Sequence, residues 1–453
     1  MHPSSYFIAD LPPGAVLSSQ LVTEACQTLV RNRDRHLAPR ETKSILAPLA
    51  ELAAHWLDPE YHFLKEALHH GPAETGFSRE ILGAGLRDFF SDLTLPNLEN
   101  WLFQDLGHPA RLDTLASDHV ERASGRHSMA SGPALIAHVC AGNLPIPTLT
   151  GIISGLLVRS AQFVKCASGT AFLPRLFAHS LREIEPKLAS CLEIAEWKGG
   201  ATHLEEALFA EADCVTATGS DETLAALRAK VPSGKRFLGY GHRLSFAYLS
   251  REALSEPRSH TLVEHAARDV IAWDQLGCLS PHVVYVESGG EISPTDFAES
   301  LAGELATQGL HHPRGKISVE EHAAITIRRS IYELRAANSF ETRLWRSEDS
   351  TDWTVVFELD PQFQTSCLNR FVYVKPAASV EHTLHVLAPV RGRVSTVGVA
   401  APRPRMLAIA HQLAAWGVSR VCPLGRMQKP PIWWRRDGRP VLADLVTWCD
   451  FET

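Results

Sequence analysis

Cys278 stands apart from most of the other cysteines in its sequence surroundings. It follows a helical run in the segment DQLGCLSP, with Gly277 before it and Pro281 after it. Small neighbours in a loop leave room for a substrate, and a reactive thiolate needs such access together with a positive or dipolar neighbour. Other cysteines lie in apolar, strand-like runs that are typical of small buried side chains, namely Cys140, Cys214 and Cys422. Position therefore makes Cys278 a candidate nucleophile.

Three glycine-containing loops follow strand-like segments: CAGNLPIP (140–147), KCASG (165–169) and ATGSDE (217–222). Glycine and small polar residues let backbone N–H groups approach a phosphate. Ligands of open α/β sheets bind beyond the carboxyl ends of strands, where these loops are expected. None of the loops matches G-x-G-x-x-G, so tight strand-to-helix turns remain the alternative. Three such loops in one sheet favour a nucleotide site more than any single loop does.

Three polar side chains beside these segments could bind or react. Lys165 ends a buried-strand pattern, so it must contact a ligand ribose or phosphate, or else form a surface salt bridge. Asn143 follows Gly142 and could donate to a developing oxyanion, or simply form a turn. His242 follows a strand in GYGHR and could assist proton transfer, or pack in the core.

The elements that position these residues change character near residue 118. Residues 14 to about 115 show apolar residues at helical spacing, with breaks predicted at Pro59 and at HHGPAETG (69–76). Strands then alternate with helices, including a long helix from Phe172 to about Glu196 and one capped by Ser220. This alternation predicts parallel strand pairing in a doubly wound α/β sheet.

A second unit begins near Gly239. Its first part, LSREALSEPRSHTLVEHAARDVIAWD (249–274), has a helical pattern, and a later helix begins with a Ser318/Glu321 capping box. Strand patterns in TDWTVVFELD, RFVYVKPA and RVSTVGVAA predict a second sheet.

Composition excludes several classes of protein. Among the 453 residues, 44 are basic and 51 acidic, giving a net charge of −7 without a long basic block, so nucleic acid is not an expected partner. No run reaches the roughly 20 apolar residues of a membrane span, and the amino terminus lacks a secretory signal, so we expect a cytoplasmic protein. Nine cysteines without a C-x-x-C pair indicate reduced thiols, and no metal site is predicted.

Four segments together resemble the LuxC-like acyl-CoA reductases of the aldehyde dehydrogenase superfamily: HVCAGNLPIP, GYGHRLSFAYL, ARDVIAWDQLGC and PLGRMQKPP. The resemblance covers most of the chain and is strongest over about 135–280 and from 420 onward. It implies an aldehyde dehydrogenase-like α/β fold, with the following parts: a helical region packed on the cofactor domain (1–117), an oligomerisation hairpin (118–132), a Rossmann-type NADPH-binding domain (133–238), a catalytic domain (239–430) and a tail (431–453).

The resemblance also implies roles for individual residues. Cys278 matches the superfamily's nucleophile, and Asn143 matches the asparagine that forms an oxyanion hole with the backbone N–H of that cysteine. Lys165 matches the lysine that contacts the adenosine ribose. The pyrophosphate would lie near Gly219 and Ser220 at a helix start, with Gly142 and Ser168 completing the cofactor-binding set.

Two departures from the superfamily pattern affect the expected reaction. The loop LGYGH lacks the glutamate that activates water in ordinary aldehyde dehydrogenases, which favours reduction of a thioester over its hydrolysis. Three residues after Lys165, Ser168 replaces the glutamate of NAD-preferring relatives, which permits NADPH because no carboxylate there repels its 2′-phosphate.

The resemblance therefore implies reduction of a fatty acyl-CoA or acyl-protein thioester by NADPH to the aldehyde, through an acyl-enzyme on Cys278, with His242 as a proton donor or acceptor. An NADP-dependent aldehyde dehydrogenase and a non-catalytic, acyl-holding subunit of a reductase complex are the alternatives. An acyl-protein synthetase partner and a homo-oligomer are expected.

Overall fold

The computed structural model describes residues 6–12, 14–142, 144–255 and 260–452, which fold into α-helices and three β-sheets. The helices are α1 (Ser19–His36), α2 (Lys43–Leu57), α3 (His62–Thr75), α4 (Arg79–Asp92), α5 (Leu95–Leu106), α6 (His119–Ala123), α7 (Ile146–Leu157), α8 (Phe172–Ile184), α9 (Pro186–Ala189), α10 (Thr202–Glu211), α11 (Asp221–Lys230), α12 (His260–Ile271), α13 (Pro294–His311), α14 (Val319–Asn338), α15 (Val380–Val386), α16 (Arg403–Trp416) and α17 (Val441–Leu445). The strands are β1 (Arg126–Ser131), β2 (Leu135–Val139), β3 (Ala161–Cys166), β4 (Leu192–Glu196), β5 (Cys214–Thr218), β6 (Arg236–Tyr240), β7 (Leu244–Leu249), β8 (Val283–Glu287), β9 (Thr342–Arg346), β10 (Thr354–Glu358), β11 (Phe371–Ala377), β12 (Val394–Ala400), β13 (Arg420–Pro423) and β14 (Thr447–Glu452).

The chain divides into two compact units. The first comprises Met1–Thr75, Leu86–Gly241 and Pro431–Thr453. The second comprises Gly76–Gly85 and His242–Pro430. Within the described ranges, no helix combines the length and the apolar surface that a membrane span requires.

A five-stranded parallel sheet forms the centre of the first unit, in the order β4-β3-β2-β5-β6. Every residue of β2 and β3 is buried, as expected for inner strands of a parallel sheet that is covered on both faces. The order runs outward in both directions from β2 and β5, which creates a topological switch point between these two strands.

A seven-stranded sheet forms the centre of the second unit, in the order β13-β12-β7-β8-β11-β10-β9. All neighbouring strands are parallel except β9, which pairs antiparallel with β10. Its core is built from buried aromatic and branched side chains, among them Phe246, Tyr285 and Tyr373. The doubly wound α/β architecture predicted from the sequence is confirmed.

The segment 118–132 does not form a hairpin of its own. It contains the short helix α6 and the strand β1, and β1 pairs antiparallel with β14 near the carboxyl end of the chain. The turn chemistry of 118–132 could not reveal this pairing because the partner lies more than 300 residues away. Trp448 and Phe451 of β14 remain 42% and 49% exposed.

The break predicted at 69–76 is confirmed at the end of that segment, since α3 continues through Gly71-Pro72 to Thr75 and α4 begins at Arg79. Two other local predictions were wrong. The long helix expected from Phe172 to about Glu196 ends at Ile184, since Pro186 disfavours a helical residue before it. Its remainder contains α9 and then β4, in which Leu192 and Ile194 alternate with Glu193 and Ala195.

The helical pattern proposed from residue 249 onward also begins too early. Residues 244–249 form the fully buried strand β7, and α12 begins only at His260. The predicted caps are confirmed. The Oγ of Ser220 accepts from the Thr223 N–H, and Ser318 and Glu321 form a reciprocal capping box.

Gly85 in α4 allows buried Trp273 to pack against the helix backbone. A Cβ at Gly85 would overlap the Cζ2 atom of Trp273, whose ring also lies 5.2 Å from that of Phe77. Gly303 in α13 offers a contrast, because a Cβ there meets nothing within 4 Å.

We predict opposite effects of Gly-to-Ala substitution at these two helical positions. Gly303→Ala should raise the free energy of unfolding by about 0.5–1 kcal/mol, the ordinary gain of alanine over glycine in a helix. Gly85→Ala should lower it by about 1–3 kcal/mol, because overpacking against Trp273 outweighs that gain. Denaturant unfolding of both variants measures the difference, and equal stabilisation by both would contradict the packing described here.

Candidate active site

The three glycine-containing loops lie at one edge of the first unit's sheet. They follow β2, β3 and β5, and the carboxyl ends of parallel strands share an edge. Two of the loops are in close approach, since a Cβ on Gly142 would lie 2.7 Å from Cγ2 of Thr170. Asn143 lies outside the described residues, so its predicted role as an oxyanion donor stays a prediction.

Lys165 is a buried cation beside this edge. It lies in β3 opposite Val139 of β2, and its side chain is 4% exposed. In the described part of the chain no carboxylate oxygen lies within 4 Å of its Nζ, which instead lies 5.9 Å from the ring centroid of Trp197. Burial lowers the pKa of Lys165, an effect that the carboxylate of Glu205 partly offsets. A surface salt bridge, the alternative considered from the sequence, does not form with any of the residues that the structure describes.

Ser168 is exposed in the turn that follows β3. The next part of this turn is held by Glu196, whose Oε1 accepts from the Gly169 N–H at 2.8 Å and whose Oε2 accepts from the Ala171 N–H at 3.2 Å. Sequence reasoning overlooked Glu196 because it placed this residue in a helix rather than at the end of β4. A carboxylate is therefore close to Ser168, but both of its oxygens accept backbone hydrogen bonds.

Gly219 and Ser220 connect β5 to α11. The Gly219 N–H donates to the Tyr240 carbonyl at 3.2 Å, which ties the loop to the end of β6. Ser220 is the N-cap of α11, and the first two residues of this helix are Asp221 and Glu222. Helix amino termini attract anions, but two carboxylates in the first turn oppose that attraction here.

Cys278 lies in an exposed turn immediately before β8 of the second unit. All nine cysteines fall within the described ranges, and none of them forms a disulfide. A hydrogen bond from the sheet holds the backbone of this turn. The buried Ser245 of β7 donates its Oγ–H to the Cys278 carbonyl at 2.7 Å. Gly277 lets the side-chain amide of Gln428 approach the turn backbone, since a Cβ there would lie 2.4 Å from its Nε2 unless the amide moved. The thiol thus lies at the surface of a turn with a fixed backbone.

The residues before this turn adopt an unusual conformation. Trp273, Asp274 and Gln275 have φ angles of 53°, 50° and 63°, in the left-handed region that non-glycine residues seldom occupy. Buried Gln275 donates its Nε2–H atoms to the carbonyls of Pro281 at 2.8 Å and Phe371 at 2.9 Å. These bonds join the two sides of the Cys278 turn to β11.

A second left-handed run lies immediately before β11. Leu368, Asn369 and Arg370 have φ angles of 60°, 54° and 65°. The two runs are linked by a buried ion pair, in which Arg370 Nε lies 2.9 Å and Nη2 2.6 Å from Oδ1 of Asp274. The other carboxylate oxygen of Asp274 accepts from the Gly315 N–H at 3.0 Å.

His242 is exposed just before β7, and His282 is buried just before β8. Burial lowers the pKa of His282 to about 4, and the charge of His242 adds to this effect, so the two imidazoles are electrostatically coupled. The Ser366 N–H donates to Nδ1 of His282 at 3.1 Å, which places the proton of the neutral ring on Nε2. His282 therefore stays neutral at neutral pH, whereas His242 is exposed to solvent.

Within each unit, the predicted residues gather at one edge of a sheet. Lys165, Ser168 and Ser220 lie at or beyond the carboxyl ends of strands in the first unit. Cys278 and His242 precede the amino ends of the neighbouring parallel strands β8 and β7 in the second unit.

The LGYGH segment contains no Asp or Glu. Its residues Leu238 and Tyr240, which belong to β6, are both buried. A neighbouring carboxylate was nevertheless missed from the sequence. Oδ1 of Asp221 would lie 2.6 Å from a Cβ built on Gly241, so this exposed side chain stands beside the segment. Asp221 could have been suspected only from the pairing of β5 with β6.

Comparison with known sequences identifies the family. Residues 37–448 match the model of the acyl-CoA reductase (LuxC) family. The long-chain acyl-protein thioester reductase of Aliivibrio fischeri is 24% identical over 64% of this chain and 57% of that protein. The enzyme of the same name from Vibrio harveyi is 24% identical over 55% of this chain and 50% of that protein. The matched region thus spans little more than half the length of these relatives.

Solved structures share the fold at low identity. An NAD-dependent benzaldehyde dehydrogenase from Corynebacterium glutamicum superposes with a TM-score of 0.69 at 12% identity, over 97% of this chain and 91% of that chain. A betaine aldehyde dehydrogenase from Staphylococcus aureus gives a TM-score of 0.65 at 12% identity, over 96% and 88%. The chain has the aldehyde dehydrogenase fold, and it belongs to the acyl-CoA reductase (LuxC) family.

Proposed function

We propose that this protein reduces a fatty acyl thioester to the aldehyde, through an acyl-enzyme on Cys278 and with NADPH as the reductant. One observation carries the proposal: Cys278 is exposed in a turn whose backbone is fixed by Ser245. The matched relatives, which are named long-chain acyl-protein thioester reductases, support a fatty acyl substrate presented as a thioester.

The thiolate of Cys278 attacks the acyl carbonyl, a new carbon–sulfur bond forms, and the thiol of the donor leaves. The oxyanion of the tetrahedral state needs two donors, which we assign to the Cys278 backbone N–H and the Asn143 amide. A nicotinamide dinucleotide held at the first unit's sheet would supply hydride to the thioester carbon, and release of the aldehyde would regenerate the Cys278 thiolate. His242 is the group we assign to proton exchange with the departing thiol, because it is exposed and precedes the strand next to β8.

The cofactor site is assigned to the carboxyl edge of the first unit's sheet. Lys165 offers a buried ammonium that no carboxylate within 4 Å neutralises in the described ranges, which suits a ribose hydroxyl or a phosphate. Gly142, Gly219 and Ser220 leave room for phosphate oxygens near the start of α11. Exposed Ser168 leaves space for a 2′-phosphate, and the nearby Glu196 carboxylate is already engaged by backbone N–H groups.

The acyl donor is a CoA thioester or an acyl protein, and we propose an acyl-protein synthetase as the partner in the second case. We also propose a homo-oligomer, formed through the strands β1 and β14. All six residues of β14 are exposed, including the aromatic rings of Trp448 and Phe451. Burial of these rings by a second copy would stabilise such an assembly.

We predict that Cys278→Ser abolishes turnover. NADPH oxidation with long-chain acyl-CoA should fall by about a thousandfold or more, because a serine hydroxyl at this position is a far weaker nucleophile than a thiolate. Cys449→Ser is the matched control, since Cys449 is the other exposed cysteine, and it should retain full activity. Loss of activity in the control alone, or full activity in Cys278→Ser, would place the nucleophile elsewhere.

The alternative activity, oxidation of an aldehyde to the acid, requires a base that activates water. We predict that aldehyde and NADP⁺ without CoA give at most one turnover per chain, because the LGYGH segment supplies no carboxylate. Sustained turnover would refute the reductase assignment. In that event Asp221→Asn should remove it, since Asp221 is the carboxylate beside this segment.

A further inference from the structure

Arg436 lies at the carboxyl ends of two neighbouring strands of the first unit, β5 and β6. It opens a short 3-10 turn, Arg436–Gly438, in the carboxyl-terminal stretch. Its guanidinium carbon lies 4.1 Å from the ring centroid of Tyr240, the last residue of β6. Its Nη2 donates to Oγ1 of Thr218, the last residue of β5, at 3.3 Å.

The charge of Arg436 also reaches the end of β2. Burial raises the pKa of the Cys140 thiol, while a Thr148 hydrogen bond and the positive charge of Arg436 oppose that rise. Val139 of β2 pairs with Ala217 of β5, the residue before Thr218, so Arg436 lies beside the switch point between β2 and β5, where α/β sheets of this kind bind their ligands.

Few N–H groups of the Arg436 guanidinium donate hydrogen bonds to the described residues. A guanidinium has five N–H groups, and the described part of the chain engages one of them, with no carboxylate oxygen within 4 Å. Nearby Arg439 is different, because it donates to the Gly239 carbonyl at 3.0 Å and pairs with Asp444 at 3.6 Å. Arg439 therefore anchors the stretch, whereas Arg436 keeps its charge and most of its donors for another group.

The negative charges beside the loop between β5 and α11 mean that an anionic ligand there needs a nearby cation. Asp221 and Glu222 occupy the first turn of α11 and oppose the attraction of its amino terminus for anions. A diphosphate at this loop therefore needs compensating positive charge, and an arginine fork matches phosphate oxygens well.

We propose that Arg436 binds the diphosphate of a nucleotide at the carboxyl edge of this sheet. The inference rests on the proposed function, which supplies two sources of that chemistry, the nicotinamide dinucleotide and CoA. The contact with the Tyr240 ring holds the guanidinium at this edge, and the N–H groups that the described residues leave unused are the ones we assign to the phosphate oxygens. The sequence alone did not indicate a role for Arg436, because its position beside β5 and β6 depends on how the carboxyl-terminal stretch packs against these strands.

The test is calorimetric titration of the full-length chain with NADP⁺ and, separately, with CoA. Arg436→Gln should weaken binding of the diphosphate source by about tenfold or more, the loss expected for one charge-assisted contact. Arg436→Lys should recover part of that loss. Arg435→Gln is the matched control, because Arg435 is the exposed neighbour and carries the same charge, and its affinities should stay within about twofold of the wild type.

The ligand whose affinity falls identifies the source of the diphosphate. If the wild type binds the ligands and Arg436→Gln binds both with unchanged affinity, the inference about Arg436 is overturned and the proposed function stays intact. A wild-type chain that binds neither ligand would overturn both. Thermal unfolding temperatures equal to that of the wild type establish that each variant is folded.

Discussion

The buried contact between Asp274 and Arg370 is the interaction on which the candidate nucleophile depends. Each partner lies in a run of three left-handed residues, a conformation that costs about 1–2 kcal/mol for each non-glycine residue. Such runs persist only where the surroundings determine them. Here a buried ion pair, whose separation would leave an uncompensated charge, joins the run before Cys278 to the run before β11. The ion pair thus fixes the backbone that leads into the turn that contains Cys278.

The two sheets present their candidate residues at opposite strand ends. In the first unit, glycine-containing loops follow the strands, leaving backbone N–H groups and the buried charge of Lys165 at the carboxyl edge. In the second unit, Cys278 and His242 precede the strands β8 and β7, and Ser245 of β7 donates a hydrogen bond to the Cys278 carbonyl. The carboxyl edge of the first unit's sheet offers the space and positive charge that a nucleotide cofactor needs. The turn before β8 in the second unit offers the fixed backbone that a nucleophile needs.

Local chemistry predicted much of this arrangement from the sequence. The cap at Ser220 and the position of Lys165 in a buried strand depend on neighbouring residues alone, and both were predicted. Exposure of Cys278 followed from its small neighbours. The strand β4 was missed because CLEIAE is too short for its alternation to be told from a helical pattern. Glu196, Asp221 and Arg436 were missed because their positions depend on strand pairing and on the return of the carboxyl-terminal stretch.

A covalent bond between the acyl group and the sulfur of Cys278 is the central step of the proposed reaction. The measurement is mass-spectrometric mapping of the wild-type chain after incubation with a long-chain acyl-CoA and no nicotinamide nucleotide. We predict an acyl adduct on the peptide that contains Cys278, and its disappearance when NADPH is added before digestion. An adduct on another cysteine, or steady aldehyde production without any adduct on Cys278, would contradict the account.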